Sequence, residues 1–268
     1  IITSGGKHAL LNLMLALVES GDEVVIPTPY WMTFSEQVRL AGGKPILVPT
    51  SESDGFRITA NLIAPSLTER TRLLLINSPA NPTGAIVSEK DLLSLGKLLK
   101  GRDAFFLWDD TYARLMPDPS SCSAYAWVQK ELEGRFLIAG TASKAFAMTG
   151  WRIGWALGPK PVIEASSALQ SHMTSNASSI SQHAAITAIS ECQDSVSEML
   201  KEYEWRAERL RKGLIKIPGI SCNKPGGGFY LFPNVSNLLF TNETTTDRGR
   251  PGVIAENAPE AGVDGTAG

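Results

Sequence analysis

The chain has 268 residues, 43% of them hydrophobic and 19% charged, with a formal net charge of -2. That is enough apolar material for the core of one large domain, or of one domain and part of another. The near-balanced charge argues against nucleic acid or an acidic membrane surface as the main partner, and no apolar run is long enough to span a bilayer. The apolar stretch from Ala9 to Val18 lacks the basic flank and cleavage site of a signal peptide. Cys122, Cys192 and Cys222 lie far apart and the three histidines are scattered, so neither a disulfide framework nor a metal-ligand pattern is visible. A reducing, cytoplasmic setting fits that cysteine usage best.

In chain order, a helix signal covers 5–19 and is apolar nearly all round, which predicts a buried helix. A strand follows at 23–27 (EVVIP), a helix at 31–41, a strand at 45–48 (PILV) and a helix at 59–68. Then come a strand at 72–77 (RLLLIN), a helix at 88–100, and strands at 104–108 (AFFLW), 135–140 (RFLIAG) and 152–157 (RIGWAL). The strands are continuous apolar runs, as strands buried on both faces should be. Strand and helix in this alternation predict an α/β fold with a mainly parallel sheet covered by helices on both faces. Helices at 159–173, 178–191 and 194–216 complete the pattern. The last is long and charged (Glu202, Glu204, Arg206, Glu208, Arg209) and is expected to run over the surface towards a second, smaller α+β domain, in which 226–232 (GGGFYLF) reads as a strand. From Thr241 the composition is poor in large apolar residues, which predicts a disordered tail. The expected organisation is a large domain over 1–193, a linking helix and partial small domain over 194–240, and the tail over 241–268.

Ligands gather at the carboxyl ends of strands in open parallel sheets. The unusual residues directly after the predicted strands are Trp31, Asn81, Asp109, Tyr112 and Lys144. An aromatic face, an amide, a carboxylate, a phenol and an amine on one rim suit a flat, anionic, nitrogen-containing cofactor. Ser4-Gly5-Gly6-Lys7 opens the buried helix; bare backbone at a positive dipole end suits a phosphate, although taken alone the string reads first as a plain glycine-containing helix start. Asn77-Ser78-Pro79-Ala80-Asn81-Pro82-Thr83-Gly84 is dense in turn formers and reads either as a tight loop or as part of a site, with a cis peptide expected before Pro82 and another before Pro29. Asp109-Asp110 admits a magnesium reading or a helix cap, and no second acidic cluster accompanies it; no metal is assigned. The sharpest signal is Thr141-Ala142-Ser143-Lys144, continuing to Gly150-Trp151-Arg152. A lysine among small and apolar residues, flanked by hydroxyls, can lose its proton and act as a Schiff-base amine.

The strings SGGKHAL, GDEVVIPTPYW, NSPANPTG, WDDTY, SKAFAMTGWRIGW and KPGGGFYLFP, in this order and spacing, resemble the class I/II aminotransferases, the pyridoxal 5′-phosphate (PLP) enzymes with the aspartate aminotransferase fold. The likeness runs from about Thr3 to Val235 and is nearest to the aspartate/prephenate aminotransferase branch. It implies an amino-group transfer between an amino acid and a 2-oxo acid, by a protein that is a homodimer at full length. Lys144 would form the Schiff base with PLP and carry the proton at the substrate Cα. Asp109 would pair with the pyridine nitrogen, and Tyr112 and Asn81 would hold the cofactor's phenolic oxygen. Trp31 would stack on the ring; Trp31 and Asn81 would also face the substrate. Gly5, Gly6, Lys7, Thr141, Ser143 and Arg152 would bind the phosphate. Other PLP chemistry on the same fold (lyase, decarboxylase or cyclopropane-forming synthase) and a non-catalytic PLP-binding fragment are the alternatives. Two departures are small: Asp110 stands where the family usually has Glu, and Thr141 where it has Ser or Gly. Two are large. The family's segment before Ile1, with a substrate-binding glycine and a tyrosine for the partner subunit's phosphate, has no counterpart here. Nor does the arginine for the substrate's α-carboxylate, since neither Arg248 nor Arg250 has a fitting context. The chain is therefore read as a fragment that binds the cofactor better than it turns over substrate.

Overall fold

The computed structural model describes residues 1–117 and 122–239. The chain begins with strand β1 (Ile2–Thr3), helix α1 (Gly6–Leu17), β2 (Glu23–Thr28), α2 (Thr33–Leu40), β3 (Lys44–Pro49), α3 (Ala60–Ile63), β4 (Thr71–Asn77), α4 (Glu89–Leu99) and β5 (Phe105–Asp109). It continues with α5 (Cys122–Glu131), β6 (Phe136–Thr141), β7 (Gly154–Leu157), α6 (Lys160–Met173), α7 (Ser179–Glu191) and α8 (Gln193–Leu214), and ends with β8 (Ser221–Cys222), β9 (Pro233–Asn234) and α9 (Ser236–Leu239). Among the described residues, seven strands form one sheet in the order β1-β7-β6-β5-β4-β2-β3. The pairs β2/β3, β2/β4, β4/β5 and β5/β6 are parallel, while β7 runs antiparallel to both β6 and β1. This is the expected α/β class with a mainly parallel sheet, and β8 with β9 adds a separate two-stranded element.

Why the strands are apolar throughout is visible in the two cores. Successive side chains point to opposite faces of a strand. Leu73 and Leu75 of β4 pack on one side with α1, α2 and Val162 of α6; Leu74 and Ile76 pack on the other with α4 and Val128 of α5. On β5, Leu107 joins the first core, and Phe106 and Trp108 join the second. Both faces are dry, so neither register of β4 or β5 can carry polar residues until the strand ends. The polar residues Asn77 and Asp109 stand at those ends. α1 is buried as expected, with Ala9, Leu10, Leu13, Met14 and Leu17 inside.

Several expectations are corrected. Residues 226–232 form no strand: the amides of Gly226 and Gly227 donate to the Gly84 carbonyl oxygen and that of Gly228 to Leu115, so a loop rather than a neighbouring strand satisfies them. The 59–68 helix stops at Ile63 and tightens into a short 3-10 turn over Ala64–Ser66, because Pro65 has no amide to extend the α-helical ladder. β7 starts at Gly154 and not at 152, since Arg152 is in the left-handed region with φ 49°. α5 was not expected at all; it covers the second core with Val128. α8 runs over the surface as its charge implied, with Val196 its one buried residue. The 241–268 segment lies outside the described residues.

Candidate active site

The carboxyl ends of β4, β5 and β6 form one rim because their ladder is in register there: Asn77 pairs with Asp109, and Asp109 with Ala139. A cavity of about 250 Å³ opens on this rim. Its wall includes Gly6, Lys7, Trp31, Asn81, Asp109, Tyr112, Thr141, Ser143, Lys144 and Arg152, all expected from the sequence; Gly5 is the one expected residue that does not line it. Leu10, Asn77, Thr111, Thr149 and Tyr230 line it too and were not foreseen as site residues. Asn77 could have been found as the polar end of an apolar strand. Tyr230 had no such signal, since it lies 118 residues from the side chain it meets. The peptides before Pro82 and Pro29 are cis as expected, and that before Pro79 is cis as well.

One end of the cavity is built for an anion. Gly5 precedes α1 with φ 93°, a backbone conformation that L side chains avoid, and no side chain caps the helix. A Cβ on Gly5 would stand 2.5 Å from Arg152 Nη2, so the bare backbone is what lets the guanidinium close over the helix start. Arg152 is itself fixed by Nη1, which donates to the Thr149 carbonyl oxygen at 2.7 Å. Thr141 Oγ1 donates to the Ile153 carbonyl oxygen at 2.8 Å, sits 2.8 Å from Ser143 Oγ and accepts from the Ser143 amide at 3.1 Å. A positive helix end, a guanidinium and two hydroxyls together suit a phosphate.

The other end is different. Asp109 is 3% exposed, and its Oδ1 accepts from the Thr111 amide at 3.0 Å and from Thr111 Oγ1 at 2.6 Å. Burial outweighs both bonds and, with the Asp110 charge adding to it, pushes the Asp109 carboxyl up to about 6. Among the described residues no cation offsets it. Asp110 turns away, accepting from Tyr125 Oη at 3.0 Å, and burial lifts it to about 6 as well. It does not line the cavity, so the two carboxylates do not converge as a shared cation would require.

Between these ends, Asn77 Nδ2 donates to the Asp109 carbonyl oxygen at 3.1 Å, and its Oδ1 accepts from the Asn81 amide at 2.8 Å. One side chain therefore ties the β5 end to the loop that carries Asn81. Tyr112 Oη lies 2.9 Å from Tyr230 Oη, and Asn81 Nδ2 donates to Tyr230 Oη at 3.3 Å. Burial drives the Tyr112 phenol far above its ordinary value, with Tyr230 adding to the rise, and either hydroxyl of the pair can be the donor between them. Trp31 packs edge-on against Phe34, ring centroids 5.5 Å apart, with Lys7 Nζ 5.2 Å from its ring. Lys144 is half-buried beside the buried Ala145, its Nζ 5.7 Å from the centroid of the Phe229 ring.

The family profile described as aminotransferase class I and II matches residues 1–252. The chain belongs to this family. It is 43% identical over 234 residues to the aspartate aminotransferase of Geobacillus stearothermophilus and 41% identical over 234 residues to that of Bacillus subtilis; each match covers 87% of this chain and 60% of the relative. The crystal structure of the Rhizobium meliloti aspartate aminotransferase matches with a TM-score of 0.85 at 40% identity, covering 89% of this chain and 60% of that one. The chain thus spans about 60% of the length of the relatives it matches.

PLP is the cofactor of the class I and II aminotransferases, and three features of this cavity fit it. The Gly5–Arg152 approach makes a cradle that a Cβ would fill, with the charge and donors a phosphate needs. The buried Asp109 carboxyl lacks the cation that a protonated ring nitrogen would supply. Lys144 presents an amine on the same wall.

Proposed function

We propose that the chain is the cofactor-bearing part of an aminotransferase that moves an amino group between an amino acid and a 2-oxo acid, with Lys144 as the residue that carries PLP. The observation that supports this most is the cavity's polarity: a phosphate-type cradle at one end, an uncompensated buried carboxyl at the other, and an amine on the wall. When bound, PLP supplies an electron sink next to the substrate Cα. Lys144 Nζ would supply the amine that holds the cofactor and would move the proton at the substrate Cα. Asp109 would pair with the ring nitrogen and keep it protonated. Tyr112 and Asn81 would hold the phenolic oxygen, Trp31 would stack on the ring, and Trp31 and Asn81 would face the substrate. Arg152, Thr141, Ser143 and the α1 start formed by Gly5, Gly6 and Lys7 hold the phosphate.

In this reading residues 1–193 are the PLP-binding domain and 194–240 begin a smaller one. The full-length protein is a homodimer, a reading supported by the apolar side chains that α7 leaves exposed: Ile180 (73%), Ile186 (62%) and Ile189 (39%). No described helix is long and apolar enough to cross a membrane, and the free thiols of Cys192 and Cys222 suit a reducing cytoplasm. The test is borohydride reduction of the PLP-loaded protein followed by peptide mapping. A label on Lys144 is expected; a label on another lysine, or none on folded protein, overturns the assignment. Conversion of the bound cofactor to its amine form by excess aspartate or glutamate tests the transfer itself.

A further inference from the structure

Tyr230 comes from the segment after α8, outside the strand ends that supply most of the site. It nevertheless reaches the cavity wall, and its hydroxyl contacts two of the residues assigned to the cofactor's phenolic oxygen. Its placement is determined by several contacts. The Gly226 and Gly227 amides donate to the Gly84 carbonyl oxygen at 2.8 and 3.2 Å, and the Gly228 amide donates to Leu115 at 2.7 Å. The Tyr230 ring packs at 5.6 Å from the Tyr112 ring, at an interplanar angle of 77°, and at 4.7 Å from the Phe229 ring.

The hydroxyls can be assigned by counting protons. A phenol has one proton to give and lone pairs to receive. Asn81 Nδ2 is a donor, so Tyr230 Oη accepts from it. If Tyr112 spends its proton on a group in the cavity, its oxygen is free only to accept, and the 2.9 Å contact must then be filled by the Tyr230 proton. The result is a one-way chain from the Asn81 amide through Tyr230 to Tyr112 and into the cavity. Consecutive hydrogen bonds polarise one another, so a donor behind Tyr112 strengthens the bond that Tyr112 makes in front.

We infer that Tyr230 is a positioning residue for the cofactor's phenolic oxygen: by donating to Tyr112 and accepting from Asn81 it aims the Tyr112 proton into the cavity and makes Tyr112 a stronger donor. The inference rests on the proposed function, since it takes the group in front of Tyr112 to be that oxygen. It also makes the electronics of the site depend on the docking of the 224–230 segment. Stronger donation to the phenolic oxygen favours its anionic form and lowers the pH at which the protonated chromophore loses its proton.

The experiment is a spectrophotometric pH titration of the PLP-loaded chain and of its Tyr230→Phe, Tyr112→Phe and doubly substituted variants. Tyr230→Phe keeps the ring packing and removes only the hydroxyl. It is expected to raise the midpoint of the absorbance change by roughly half a pH unit to one unit, the scale of one ordinary hydrogen bond between neutral groups. Tyr112→Phe should raise it further, and adding Tyr230→Phe to Tyr112→Phe should shift it no more, because one residue acts through the other. A midpoint unchanged in Tyr230→Phe, or a shift that persists undiminished on the Tyr112→Phe background, overturns the inference while leaving the proposed function standing. A parent that forms no cofactor chromophore overturns the proposed function, and this inference with it.

Discussion

The sheet rim and the 221–234 segment both contribute to one cavity, and they do so by different physics. Asn77, Asp109 and Thr141 are placed by strand ladders: Asp109 sits between Asn77 and Ala139 in a register that both cores enforce. Tyr230 is placed by a loop docked on another loop, through three glycine amides and a few side chains. One of these is Glu52, whose carboxylate accepts from Ser221 Oγ at 2.5 Å and from Asn234 Nδ2 at 2.6 Å, while its backbone oxygen accepts from Asn223 Nδ2 at 2.7 Å. A one-residue slip of β5 would turn its whole apolar set over, so the rim cannot drift. The docked segment has no such penalty, and its contribution to the site can be loosened without touching the core.

The largest expected effect breaks the rim side. Lys144→Ala in the full-length protein should lower single-turnover conversion of the bound cofactor by more than about 10³-fold, the scale of losing a positioned base together with the attachment point. Stopped-flow absorbance measures it, and conversion within tenfold of the parent would move the role elsewhere.

Next is Asp109. Asp109→Ala should cost roughly 3 kcal/mol of barrier, about a hundredfold or more in rate, while PLP stays attached through Lys144. Asp109→Asn sharpens the point through pH. In the cofactor-free protein the Asp109 carboxyl lies at about 6, above the ordinary aspartate value of 3.8. A raised carboxyl stabilises the fold most below pH 3.8, and that contribution is lost as pH rises towards and through about 6. The Asn variant without cofactor should therefore be more stable than the parent at neutral pH, by up to roughly 3 kcal/mol for a shift of this size, with the advantage vanishing near pH 4. Urea melts of both proteins across this pH range check it. A difference independent of pH would mean that the carboxyl is not held against its charge.

The docked segment should give smaller numbers. Gly84 has φ 69°, and a Cβ there would meet Pro225 Cβ at 2.5 Å. Gly84→Ala is expected to lose about 1–3 kcal/mol, the usual cost of overpacking with a strained backbone. It should also speed hydrogen exchange at the 226–228 amides and leave β4–β6 protected. Exchange rising equally across the sheet would show that the two regions are one cooperative unit.

The mildest test is Glu52→Gln. The Ser221 and Asn234 contacts hold the Glu52 carboxyl below its ordinary value, so its contribution is present at neutral pH and fades as pH falls below the usual carboxylate range. Because Glu52 is only half-buried and its contacts are open to solvent screening, the loss should stay within about 1 kcal/mol at neutral pH. A drop as large as that of Gly84→Ala would make this clasp, and not the glycine contacts, the main anchor of the segment.

Much of the site was legible before any coordinates because it follows strands. Each apolar run in β4, β5 and β6 has to end where both cores end, and the first polar or aromatic residues beyond it fall on the rim. Asp109, Tyr112 and Lys144 were readable for that reason, and Gly5 and Gly6 from the helix start. α5 was missed because its sequence, CSAYAWVQKE, has only a weakly one-sided apolar pattern. The stretch 226–232 was misread as a strand because its FYLF run looks like one, and local pattern carries no information about which partner will accept the glycine amides.

The sequence by itself determined the alternation of strand and helix, the two-sided burial of the sheet and the chemical identity of the rim, because each depends on periodicity and short-range chemistry within one element. Only the tertiary structure decided that Arg152 closes over Gly5, that among the described residues no cation meets Asp109 while Asp110 turns to Tyr125, and that Tyr230 stands behind Tyr112. Those relations join residues that approach only once the chain has folded, where a hydroxyl 118 positions away can come within 2.9 Å.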